Sequence, residues 1–243
     1  MKRLLVVALI LVLAGISLGA TSTRVPQAIR APQGFAGTLF SGTLALYVTQ
    51  GTHTRFICTA EPFEKILGGY RLISAGHCVQ LVPADVKFFV ADEISGPLTP
   101  VTMIKAHLGD GMDFSEFELS TSRTYPIFEL GDERDSRVGD AVINSNFAAG
   151  VVKQLSFGTI SSGTIPLSPK CEIDDCAGDF LVQLYGAGGS SGSAVVSERT
   201  HKVIGLVVIG FGSQIGFAVE PISKFSQFLA QPSQPHPDDE DGQ

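Results

Sequence analysis

The chain is a succession of short apolar or β-branched runs broken by glycine, proline, aspartate and asparagine. Runs at residues 43–48, 56–59, 70–74, 86–90, 101–104, 114–119, 141–144, 151–157, 180–184, 193–196, 203–209 and 216–219 each have the length of a strand. They fall into two groups. Between them, residues 121–138, with Pro126 and the charged stretch Gly131-Asp132-Glu133-Arg134-Asp135-Ser136, have the composition of a connection. A helical period shows in one place, after Pro221, where Ile222, Phe225, Phe228 and Leu229 recur on one face. The pattern predicts an all-β protein that ends in a helix.

The two ends of the chain depart from this pattern. Lys2 and Arg3 precede an unbroken apolar run over residues 4–13, and small residues follow at Ser17, Gly19 and Ala20. Residues 1–20 therefore read as a secretory signal peptide, cleaved after Gly19 or Ala20. The stretch over residues 4–20 is 17 residues long, short of the about 20 a spanning helix needs, so no stable membrane association is expected after cleavage. A secreted or periplasmic protein follows. Residues 21–36 are an N-terminal segment or short propeptide, and residues 231–243, proline-broken and acidic, are expected to be a disordered tail.

With 44% hydrophobic and 17% charged residues, the 243-residue chain can bury a sizeable core. Its 27 glycines and lack of tryptophan fit many tight turns. Twenty-four acidic residues against 17 basic ones give a net charge of −7, which becomes −9 once Lys2 and Arg3 leave with the signal peptide. No basic cluster interleaves with aromatic residues, so nucleic acid is not an expected partner.

Export changes the meaning of the four cysteines. An even number in an oxidising compartment points to disulfides, and four cysteines allow three pairings. Cys58 with Cys78, and Cys171 with Cys176, is the favoured arrangement, because the first pair would pin the turn that carries His77. Zinc is the competing reading, but Cys171 and Cys176 lack a second Cys or His pair at ligand spacing, and no metal or other cofactor is expected.

A serine hydroxyl is a weak nucleophile at neutral pH; a hydrolase sets it on a tight turn, gives it an imidazole base and fixes that base with a carboxylate. Gly188-Gly189-Ser190-Ser191-Gly192 offers such a turn, with Ser191 the preferred nucleophile over a plain Gly-Ser loop. The same residues also satisfy a G-x-S-x-G elbow with Ser190 as nucleophile. That fold needs an acid and then a histidine after the serine, on a parallel sheet. Here only His201 and His236 follow, and later aspartates lie in the tail. Among the five histidines, His77 stands out in Ser74-Ala75-Gly76-His77-Cys78, whereas His53, His107, His201 and His236 read as solvated surface residues. Asp113, at the mouth of the apolar Phe114, Phe117 and Leu119 strand, is the preferred carboxylate over Asp110, which lies between glycines and reads as a turn residue.

The order His77, Asp113, Ser191, with a cysteine beside the histidine, resembles the chymotrypsin/trypsin-like serine endopeptidases, especially secreted bacterial members. Ser-Ala-Gly-His77-Cys78 is similar to the T-A-x-H-C signature of that family, and Asp113 matches the aspartate opening its D-x-A-x-L strand, although Glu116 interrupts the apolar run. The segments at 149–161 and 203–210 resemble its second-barrel and cleft strands, so the likeness spans about residues 37–230. It implies two antiparallel six-stranded β-barrels, over 37–125 and 126–230, with a triad between them and a C-terminal helix. It also implies a monomer that cleaves a protein or peptide substrate through an acyl-enzyme, with the N–H groups of Gly189 and Ser191 as the oxyanion hole. Two departures change that expectation. Ser190 stands where many members carry an aspartate that receives a freed N-terminal ammonium. Tyr185, six residues before the serine and expected at the base of the specificity pocket, is not an acid; with Val208, Ile209 and Gly210 along the wall, an apolar or small side chain is expected there. The rival is a catalytically silent trypsin-like fold acting as a secreted binding module.

Overall fold

The computed structural model describes residues 32–80, 82–83, 85–166, 176–211 and 216–232. Residues 1–20, expected to be a signal peptide, Cys171 and the residues beyond 232 lie outside those residues. Within them the chain alternates as its pattern predicts. Strands β1 (Leu44–Gln50), β2 (His53–Ile66), β3 (Gly69–Ser74), β4 (Lys87–Ala91), β5 (Thr99–Gly109) and β6 (Met112–Ser120) close a first barrel in the order β1-β2-β3-β6-β5-β4. Strands β7 (Ala141–Asn146), β8 (Gln154–Thr164), β9 (Phe180–Gln183), β10 (Ala194–Ser197), β11 (Val203–Gly210) and β12 (Phe217–Pro221) close a second, β10-β11-β12-β9-β8-β7. Every pairing between these strands is antiparallel, and read from the other end the second order repeats the first.

The expected all-β architecture of two six-stranded barrels is therefore observed. Boundaries moved where local chemistry is ambiguous. The run at 151–157 is a strand only from Gln154; Val151 and Val152 stay exposed, and β8 extends instead through the polar residues to Thr164. β2 is far longer than residues 56–59 and carries Pro62 at a register shift against β3, a place where the missing N–H does no harm.

Helix α1 (Gly34–Gly42) is not predicted by the pattern, since Gly34, Gly37 and Gly42 are poor helix formers. Tertiary packing decides it: Leu39 is fully buried, and Gly42 lies so close to Phe128 that an added Cβ would come 2.4 Å from its ring. A single turn, α2 (His77–Gln80), follows β3, and α3 (Ser223–Ala230) forms at the predicted place. The connection between the barrels holds the start of α3, where Glu133 accepts from Ser223 N (3.1 Å) and Ser223 Oγ (2.6 Å). Lys105 of β5 donates to the carbonyls of Phe228, Leu229 and Gln231 at its other end, satisfying carbonyls that the helix leaves unpaired.

Each barrel has its own apolar interior, and a third cluster fills the seam between them. There Phe225 and Phe228 of α3 meet Phe114 with ring centroids 5.3 and 5.8 Å apart, beside Ile73, Ala194 and Leu206. The helix thus packs on the residue that follows Asp113. Among the described residues no helix is long and apolar enough to cross a membrane.

Candidate active site

His77 opens α2 directly after β3, and Asp113 is the second residue of β6. The two strands pair, and the approach is made possible by Gly76: a Cβ there would lie 2.0 Å from the His107 carbonyl oxygen. Asp113 is 5% exposed and holds His77 twice, accepting from its backbone N–H at Oδ1 (2.8 Å) and from Nδ1 at Oδ2 (2.6 Å). A proton on Nδ1 leaves Nε2 as the acceptor nitrogen. The Cys58–Cys78 disulfide ties α2 to β2, as favoured from the sequence. Cys176 is also disulfide-bonded. The one trio of potential metal ligands among the described residues is Cys58, His77 and Cys78, and its two sulfurs are joined to each other.

The serine turn comes from the second barrel, between β9 and β10, and is sewn to the first barrel at Thr59. Thr59 N donates to Ser191 O (2.9 Å) and Thr59 Oγ1 to Gly189 O (2.8 Å). Gly192 has φ +82°, and a Cβ on it would lie 2.2 Å from Ser74 Oγ and 2.9 Å from Ala75 N. The serine turn therefore touches the strand end that delivers His77. Ser191 and His77 are both half-buried, open enough to be reached. The recorded acceptor for Ser191 Oγ is the Val208 carbonyl at 3.4 Å, and among the described residues no hydrogen bond joins it to His77 Nε2.

The turn itself has an open donor pair. Gly188 O is turned away to accept from Ala149 N at 2.7 Å. Because a trans peptide is planar, the N–H of Gly189 points the opposite way. Among the described residues neither the N–H of Gly189 nor that of Ser191 donates to a protein acceptor. Gly189, at φ +93°, could carry no side chain, since a Cβ would lie 2.3 Å from the Phe56 ring.

The other sequence candidates fall in different places. Asp110 is an exposed residue at φ 51° in the β5–β6 turn. His53 and His201 are exposed, while His107 is half-buried, within 3.0 Å of Gly109 O. Glu116 is buried against Arg71 at 2.6 Å, which explains how a charge fits that apolar strand. The expectation for Tyr185 needs correction. Its backbone is held by β8, through Ser156 Oγ at 2.6 Å, and its side chain is 78% exposed, so it points into solvent and forms no pocket base. Val208 presents its carbonyl toward Ser191 while its side chain packs in the apolar core; Ile209 is partly buried and Gly210 exposed.

Two residues were not anticipated. The Phe217 ring lies between Gly186 and Gly210, since a Cβ on either would come 2.8 or 3.1 Å from its atoms. Asn146, fully buried at the end of β7, accepts from Ser190 Oγ at 3.2 Å. The signal for it was the polar Asn144-Ser145-Asn146 interrupting an otherwise apolar strand.

A family model described as a trypsin-like peptidase domain matches residues 66–206. Comparison with curated proteins finds no match. Among solved structures, the fold is similar to that of an HtrA-type protease, AlgW, with tripeptide (TM-score 0.64, 17% identity, 81% of this chain and 62% of that one). It is also similar to a serine endoprotease from Yersinia pestis (TM-score 0.60, 14% identity, 82% of this chain and 66% of that one). The chain thus spans less than two thirds of the length of either structure.

Proposed function

The chain belongs to the trypsin-like peptidase domain family, and from that premise we propose that it is an exported serine endopeptidase with Ser191 as nucleophile, His77 as general base and Asp113 as the carboxylate that orients the base. The observation that carries this reading is the His77–Asp113 pair, joined by two hydrogen bonds, together with a serine turn whose Gly189 and Ser191 N–H groups have no protein acceptor among the described residues. Export is supported by the leader over residues 1–20 and by the Cys58–Cys78 disulfide.

In this mechanism Ser191 Oγ attacks the scissile carbonyl carbon while its proton passes to His77 Nε2, and Asp113 stabilises the imidazolium that results. The carbonyl oxygen becomes an oxyanion held by the N–H groups of Gly189 and Ser191, each donor of this kind contributing about 3 to 4 kcal/mol to the transition state. The C–N bond then breaks, with His77 returning the proton to the leaving amine. Water, activated by the same imidazole, hydrolyses the acyl-enzyme. The hydroxyl-to-imidazole contact is one that forms with substrate in place. A small side chain is the expected occupant of the specificity pocket, since Phe217 already fills the space between Gly186 and Gly210.

A fluorophosphonate probe tests the reading. Covalent labelling of the wild-type protein that disappears in Ser191→Ala is the expected result. A folded wild-type protein that never labels overturns it and leaves the silent binding module.

A further inference from the structure

A closed ring of buried polar side chains begins and ends on the residue before Ser191. Ser190 Oγ donates to Asn146 Oδ1 (3.2 Å), Asn146 Nδ2 to Asn144 Oδ1 (2.5 Å), Asn144 Nδ2 to Ser193 Oγ (2.9 Å), and Ser193 Oγ to the Ser190 carbonyl (2.6 Å). All four residues are 2% exposed or less. Asn144 is anchored further by a bond from Nδ2 to Ala194 O (2.8 Å). The ring therefore joins the end of β7 to both sides of the nucleophile.

Asn146 also has a second arm. Its Oδ1 accepts from Ala148 N (2.9 Å) and Gln154 Nε2 (3.2 Å). Ala149, next in the chain and held at φ 56°, is the residue whose N–H turns the Gly188 carbonyl out of the pocket. One carboxamide thus fixes both the Ser190 side of the serine turn and the wall that orients the Gly188–Gly189 peptide. That peptide lies between two glycines, so rotating it meets little steric resistance. Rotation would replace the Gly189 N–H by a carbonyl oxygen and abolish the donor pair.

We infer that Asn146 is a positioning residue that keeps the oxyanion pocket formed, acting through Ser190 and through the Ala148–Ala149 segment. Both partners are neutral and internal to the chain, so the arrangement does not titrate. It is a fully satisfied buried network, the kind that specifies one local conformation and becomes costly when one member is lost. Removing the Asn146 side chain leaves the buried Ser190 hydroxyl and the half-buried Ala148 N–H without their acceptor, and the glycine-flanked peptide is the part of the turn freest to shift in response.

This inference rests on the proposed peptidase reading, and the two fail differently. If the wild-type protein does not label with fluorophosphonate, the reading itself is wrong. Given wild-type labelling, Asn146→Ala is expected to lower both the labelling rate and the kcat for a peptide substrate by about 100-fold, the effect of losing an oxyanion donor, with KM within about twofold. Affinity for a peptide aldehyde, which forms a tetrahedral adduct, should fall in parallel, while affinity for the cleaved peptide product should not. Ser190→Ala, a smaller deletion that keeps the inference falsifiable if Asn146→Ala does not fold, should lower kcat in the same direction. The double variant should be no slower than Asn146→Ala alone, because Asn146→Ala already removes the link that Ser190→Ala breaks. Unchanged kcat in a folded Asn146→Ala or Ser190→Ala protein, a KM-only effect, or losses that multiply in the double variant would each overturn it.

Discussion

His77 depends on Asp113 for position as well as for charge, because one carboxylate oxygen holds the imidazole and the other holds the backbone N–H of the same residue. Asp113→Asn keeps the shape of the side chain but can turn an NH2 toward Nδ1, which forces the ring into the tautomer that carries its proton on Nε2. The expected outcome is a kcat lower by about 10⁴ with a melting temperature close to wild type, measured on a peptide substrate and by calorimetry. Full activity in that variant would pass the role to another acid, and Asp110, exposed in its turn, is poorly placed to take it. At this scale the contact between His77 and Asp113 and the tight turn at Ser191 were legible as candidates because their chemistry is written in residue type and local spacing. The reason for Gly192 was not, since its neighbours Ser74 and Thr59 are more than a hundred positions away. Nor was the direction of Tyr185, whose backbone N–H is held by the Ser156 hydroxyl of β8.

Strand elements set what the site can accept. β12 begins at Phe217, opposite Gly210 of β11 and Val182 of β9, and this register sets the aromatic ring against Gly210 and Gly186. A peptide library is therefore expected to show cleavage after small residues. Phe217→Ala should raise kcat/KM for leucine or phenylalanine at that position relative to alanine by at least about 10-fold, since even one methylene in an apolar pocket is worth 10-fold or more. A wild-type protein that already prefers large aromatic residues would refute this. The strand carrying that ring was visible as a short apolar run, but its pairing was not. A run such as 216–219 does not say which edge it meets. Helix α1 was invisible for the opposite reason: it straddles the expected boundary at residue 36 and carries three glycines, and only burial of Leu39 against the rest of the fold makes a helix of it.

The two barrels meet over a charged cluster that neither barrel contains alone. Lys224 of α3 lies 2.9 Å from Glu220 of β12 and 3.4 Å from Asp179, and donates to the Gly111 carbonyl of the first barrel at 2.7 Å, one residue before β6 and two before Asp113. Asp179 and Glu220 are completely buried. Burial pushes Asp179 up to about 6; burial, reinforced by the Asp179 charge, pushes Glu220 up to about 9. Burial works against the charge on Lys224, but the attraction of both carboxylates outweighs it and raises its value. Near neutral pH the Asp179–Glu220 pair therefore keeps one proton between its two carboxyls, beside the Lys224 ammonium. Glu61, buried against Thr43, is also raised well above its ordinary value by burial. For all three acids the folded state keeps a proton that the unfolded chain releases near pH 4, so their stabilising contribution is complete below that pH and is lost as pH rises through the folded values. The free energy of unfolding should accordingly fall between about pH 5 and pH 9, by up to about 1.4 kcal/mol per pH unit for each titrating proton, and the melting temperature with it. Glu220→Gln, which carries the neutral form permanently, should flatten the upper part of that decline and raise stability at pH 8. Calorimetry across the range decides it: a melting temperature that is level or rises with pH, or a Glu220→Gln variant that declines as steeply as the wild type, would mean that the seam keeps both carboxylates charged around Lys224.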